Sequence, residues 1–117
     1  MKKEFIFEGR GKAQRTRHEE IARRNIYYAF QWIVGGYYNA LQDGNTDYLP
    51  KSRKALADEI YDSAMTDLCC PGMVQYGNAP REMRFAGEKF CRAYIEWKLD
   101  NDSDTAEIAE EAGWNKL

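Results

Sequence analysis

Residues 16–42 constrain this chain more than any other stretch. At about 100° per residue, Ile21, Tyr28, Trp32 and Asn39 fall on one side, with Ala22, Ala29, Ile33 and Ala40 beside them. Ile26, Phe30 and Tyr37 come next, and only Arg24, Gln31 and Gly35 mark a polar or empty stripe. A helix apolar over most of its circumference is either central or faces two partners. At about 1.5 Å per residue such a helix is about 40 Å long. The expected radius of gyration for so small a domain is only about 13 Å, so the helix must protrude or bend. Gly35-Gly36 is the place for a bend, since each glycine costs about 1 kcal/mol in a helix interior. Alternatively, the two glycines allow another backbone to pack closely. Asp43-Gly44-Asn45 ends the element with turn chemistry.

Two more helices follow. Ser52 is placed to cap one in which Leu56, Ile60, Ala64 and Leu68 recur every fourth residue, ending near Cys69 before Pro71-Gly72. Pro80 suits the start of another, whose apolar face is Met83, Gly87, Phe90, Tyr94 and Trp97, with Phe85 and Ile95 off that face. Asp104 and Glu107 fit a capping box for a short acidic end helix over 105–112, closed by Gly113. Ahead of all these, residues 3–8 alternate as a strand, which needs a partner such as the stretch 73–76, a second subunit or another protein.

The reading is therefore a mainly α fold: a three-helix core with a short N-terminal β-strand and a short C-terminal acidic helix. One domain covers 1–117, with strand and basic loop over 1–17, helical core over 18–99, and acidic linker and end helix over 100–117. Ile21, Ala29, Trp32, Ile33, Leu56, Ile60, Leu68, Met83, Phe90, Tyr94 and Trp97 are the expected core.

Composition limits function. The chain is 117 residues long, and its 44% apolar and 31% charged residues describe a globular domain rather than a disordered chain or a disulfide scaffold. No apolar run approaches the roughly 20 residues a membrane span needs, and no signal-peptide core follows Lys2 and Lys3. Three cysteines without such a signal point to reduced thiols in the cytoplasm. With His18 they are the only Cys and His residues, and they lack the paired spacing of a zinc site, so neither metal nor cofactor is expected.

Charge is distributed unevenly. Residues 1–25 carry eight basic groups against four acidic, and residues 100–117 carry six acids against one lysine, beneath a net charge of −2. Such asymmetry bears on partners, not on fold. Arg10, Lys12, Arg15 and Arg17 sit on a glycine-containing loop running into a helix start, where they could hold phosphates together with Arg24, while Tyr27 and Tyr38 could stack on bases. A sequence pI near 5.5 argues against direct nucleic-acid binding. The segment 105–114 resembles the first helix and turn of a helix-turn-helix, but the recognition helix that would enter the groove does not follow.

No phosphate loop, nucleophile elbow or metalloprotease motif is present in the sequence. His18-Glu19-Glu20 is the nearest acid–base cluster, and it reads as a solvated helix start. Asp58, Glu59 and Asp62 read as a soluble face. The aromatic content, by contrast, exceeds what a small core needs, and Tyr, Trp and Arg anchor interfaces.

The leading expectation is a non-enzymatic protein-interaction module that also self-associates as a homodimer. In style it is like the small proteins of phages and other mobile elements that inhibit or regulate a larger host complex, here one that handles nucleic acid, such as a nuclease. Glu107, Glu110, Glu111 and Trp114 on the acidic tail are the residues that would enter a basic groove. The alternative is direct nucleic-acid binding through the basic head.

Overall fold

The structure is a computed structural model, and it describes residues 17–66 and 79–114. Among these residues it is mainly helical: α1 Arg17–Gln42, a 3-10 turn Thr46–Tyr48, α2 Arg53–Thr66, α3 Ala79–Ala86, α4 Glu88–Asp100 and α5 Ser103–Ala112. The expected strand over 3–8, the stretch 73–76, Leu68 and the second helix's end near Cys69 lie outside the described residues.

Helix α1 is the axis of the molecule. Its 26 residues run through Gly35-Gly36 without a break in the helix. Among the described residues the glycines do not serve close packing: a Cβ added at either would meet nothing within 4 Å. The length constraint is met by elongation instead. At about 1.5 Å per residue α1 is about 39 Å long, and the molecule extends 44 Å along its longest axis. Glu19 and Glu20 in its first turn suit the positive end of the helix dipole. Helices α2, α3, α4 and α5 all pack against it.

Ala22, Ile26, Ala29 and Ile33 form the centre of the buried stripe, meeting Leu56 and Ile60 of α2, Met83 of α3, Phe90 and Ile95 of α4 and Ile108 of α5 in one core. Trp32 is a correction to the sequence reading: it is 68% exposed. Ile21 and Asn25 lie on the same side of α1 and are buried, so the cover on that face ends before it reaches Trp32.

The single helix expected over 80–99 is broken at Gly87, which has φ 98°. The Gly87 N–H donates to Met83 O and closes α3, and its carbonyl accepts from Cys91 N and opens α4. The break changes which face of α4 is inside. Ile95, expected off the apolar face, is 1% exposed, while Phe85 stays outside and Trp97 is only half-buried, stacked on Tyr94.

Caps fix the other ends. Ser52 Oγ accepts from Ala55 N at 3.0 Å, as the sequence implies. Helix α5 starts earlier than expected, because Asp102 rather than Asp104 is its cap. Asp102 Oδ2 accepts both the backbone N–H and the hydroxyl of Thr105 at 2.8 Å. Gly113, at φ 78°, closes α5 in the left-handed conformation.

Two stability changes follow. Gly87→Ala forces a side chain into a backbone region that only glycine occupies freely, and is expected to cost about 1–3 kcal/mol in urea unfolding. Asn25 is 1% exposed, and neither of its side-chain amide atoms finds a hydrogen-bond partner in the protein. An unsatisfied buried polar group costs about 1–3 kcal/mol, so Asn25→Leu is expected to raise the unfolding midpoint.

Candidate functional site

The acidic pole is built on α5. Thr105 and Ile108 are buried, and beyond the Gly113 cap the half-buried Trp114 donates its indole N–H to Pro50 O at 2.8 Å. The Trp114 N–H is thus used within the chain, tying the end of α5 to the segment before α2. Asp104, Glu107, Glu110 and Glu111 fall on the other side of α5, within about 120° of one another at 100° per residue. Glu107, Glu110 and Glu111 are exposed.

Tyr38 Oη donates to Glu107 Oε2 at 3.3 Å, and the nearby carboxylate raises the Tyr38 pKa. Asp104 is also raised, by partial burial and then by the charges of Asp102 and Glu107. No basic residue lies in the last turn of α5, where Glu110 and Glu111 stand against the negative end of its dipole.

The opposite pole surrounds the start of α1. Arg10, Lys12 and Arg15 lie outside the described residues, Arg17 opens α1 and Arg24 is exposed. His18 differs from the solvated residue expected. Its Nδ1 is 2.5 Å from Oε1 of the buried Glu82, and its ring lies against that of Phe85 with centroids 4.8 Å apart. Phe85 is 61% exposed, and the Arg81 guanidinium lies 5.8 Å from its centre. Tyr27 is 44% exposed, with the Lys98 ammonium over its ring at 5.1 Å. Lys98 also lies over Phe30 and Tyr94, so this cation and these aromatics are engaged with one another.

Between the poles, α2 and α4 are joined by charge. Arg53 bonds Glu96 at 2.8 Å and Asp100 at 2.6 Å, and Arg92 bonds Asp58 at 2.7 Å and Glu88 at 2.8 Å while covering Tyr61. Asp58 is therefore not simply part of a solvated face. Lys54 and Arg92 hold its carboxyl below the usual range. Glu59 accepts from Tyr37 Oη at 2.6 Å.

The chemistry available is limited. His18 and Glu82 form an oriented acid–base pair of the type that activates a nucleophile. Cys91, however, is a buried thiol raised to about 12, first by burial and then by Glu19 and Glu88, so at neutral pH it is no nucleophile. Among the described residues no group of three or more His, Cys, Asp or Glu side chains gathers as a metal site. No described helix is long and apolar enough to cross a membrane.

Sequence reasoning missed one surface aromatic, Trp32, while Phe85, read as off the apolar face, is exposed as expected. Trp32 stands on an open face of α1 that continues through Gly35, Gly36 and Asn39. At its far end a groove of about 590 Å³ is lined by Gly36, Asn39, Asp43, Asn45, Asp47 and Tyr48 among others. No protein-family model, curated protein or solved structure matches the chain.

The Cys91 environment sets a pH dependence. Its folded pKa is raised from 9.0 to about 12, so the folded state keeps a proton that the unfolded state releases. Its contribution is constant below pH 9 and falls as pH rises towards 12. Cys91→Ala is expected to flatten that part of the alkaline unfolding curve. In the native protein, alkylation of Cys91 at pH 8 should proceed only as fast as global unfolding allows, which peptide mass mapping reports.

Proposed function

We propose that the protein is a non-enzymatic interaction module whose acidic α5 face occupies a basic groove on a nucleic-acid-handling protein, a nuclease being the type of partner that fits. The observation that carries this reading is the placement of Asp104, Glu107, Glu110 and Glu111 on one side of a capped, docked helix. From Asp104 to Glu111 the helix rises about 10.5 Å. Four carboxylates over that length give about one negative charge per 3 Å, close to the roughly one per 3.4 Å of a single strand in duplex DNA. A surface with that charge density competes for the same arginine and lysine side chains.

Local energetics support a role beyond folding. Burial first, and then the charges of Asp102 and Glu107, raise the pKa of Asp104, and acids at a helix C-terminus oppose its dipole. Substitutions there that improve stability are easy to find, so a sequence that retains the acids fits a surface shaped by binding.

Replacing Glu107, Glu110 and Glu111 together by lysine is expected to abolish capture of the partner from a nuclease-treated cell lysate. Reversal of Arg10, Lys12, Arg15 and Arg17 should leave capture intact, and excess single-stranded DNA should elute the partner. Capture that survives the triple lysine variant and resists DNA would refute the reading.

One observation favours a second reading, direct binding of nucleic acid at the opposite pole. Phe85 is an exposed ring beside His18 and Arg81, and such rings stack on bases. Fluorescence anisotropy with random single-stranded DNA, duplex DNA and RNA separates the two. Binding that falls steeply with salt and is lost on reversal of the basic head would displace the acidic-face reading.

A further inference from the structure

We propose that two copies of this chain pair through antiparallel α1 helices, with Trp32 of each copy seated in the groove that starts at Gly36 of the other. The proposal is independent of the α5 reading and uses a different surface. Its first support is shape. Trp32 is 68% exposed in the middle of the longest helix, where no cap or turn requires it. One turn further on, Gly35 and Gly36 leave the helix bare, with nothing within 4 Å of a Cβ at either position. Beyond Gly36 opens the groove of about 590 Å³, floored by Asn39 and walled by Asp43, Asp47 and Tyr48. A projecting aromatic one turn from a bare groove is self-complementary under a two-fold axis, the commonest symmetry of protein dimers.

The second support is charge. With the axis level with Gly35, the end of one α1 at Gln42 lies opposite position 28 of the other. Arg24, exposed one turn beyond position 28, then faces the turn of the second copy that carries the exposed Asp43 and Asp47. The match occurs twice, once at each end of the pair. A parallel arrangement would instead set Arg24 against Arg24 and acid against acid. Antiparallel α1 dipoles favour the same choice. At the crossing point, glycine on both helices lets the axes approach towards the close end of the usual 8–10 Å separation. The seated indole becomes a central aromatic anchor with polar groups around it.

The test is sedimentation equilibrium of the full chain from about 1 to 200 µM, the range in which a modest interface associates. The wild type is expected to show a monomer–dimer equilibrium. Trp32→Ala should weaken it by about 30-fold or more, the loss of a central hot spot. Gly36→Gln should abolish the dimer while leaving the thermal midpoint of the monomer unchanged or higher, because nothing in the monomer obstructs a side chain there. That pairing of outcomes separates a lost interface from a damaged fold. Arg24→Glu and Asp43→Arg should each weaken association, and the double variant should recover it. A wild type that stays monomeric to 200 µM would overturn the proposal, as would a dimer indifferent to Trp32→Ala and Gly36→Gln. Failure of the double variant to recover would overturn the antiparallel register.

Discussion

Burial of one stripe of α1 is the interaction on which the rest of this structure depends. Ala22, Ile26, Ala29 and Ile33 supply it, and each of the other helices finds its place by covering part of it. The alanines matter as much as the larger residues. Their small side chains let neighbours approach an axis that must serve several partners at once, and the larger volumes of Leu56, Ile60, Met83 and Phe90 come from those partners. A helix as long as the molecule cannot be covered by one neighbour. Its first turns meet α3, while the hydrogen bonds of Tyr37 to α2 and Tyr38 to α5 mark its later ones. Four short-range decisions about where each surrounding helix starts and stops thus become one tertiary arrangement.

Much of this was legible because it is local. The bounds of α1, the Ser52 cap and the Gly113 cap follow from periodicity and from residue types whose backbone preferences are strong. What was not legible depended on direction. Trp32 reads as core on hydrophobicity, and only the point where the cover on its face ends puts it outside. Ile95 reads as peripheral on a continuous 80–99 helix, and only the turn at Gly87 brings it in. A glycine on the apolar face of a helical pattern looks like a packing residue until its φ is known. The Asp102 cap was hidden by a competing Asp104–Glu107 pattern that satisfies the same local rule. The candidate site shares this limit. The acidic tail was visible as composition, but its focus into one face needed the register of α5, and Trp32 gave no signal as a surface aromatic, whereas Phe85 already fell off the apolar face of its helix.

Charge is used in two different ways. Between α2 and α4, Arg53 and Arg92 each bridge two carboxylates, and such pairs register one helix against another while adding little net stability at an exposed site. At the poles the arrangement is reversed. Tyr38 is the described side chain that bonds Glu107, and a neutral hydroxyl cannot offset its charge. Glu110 and Glu111 stand against the helix dipole. The chain therefore carries cations to neutralise carboxylates where two of its own helices meet, and leaves α5 acidic where it faces solvent. That contrast is why net charge, at −2, says so little about this protein.

The same comparison applies to α1. Two adjacent glycines in a helix interior forgo about 2 kcal/mol relative to alanine, a sizeable fraction of the roughly 5–15 kcal/mol that holds a small domain together. Among the described residues nothing offsets this, since neither position is approached by another group. The helix is not broken at them either. An exposed tryptophan one turn away leaves apolar surface in water in the isolated monomer. Each feature alone is an unremarkable departure from a good helix. Together they concentrate the departures on one face of the one element the whole fold depends on, where a rigid surface is best able to present them to a second helix.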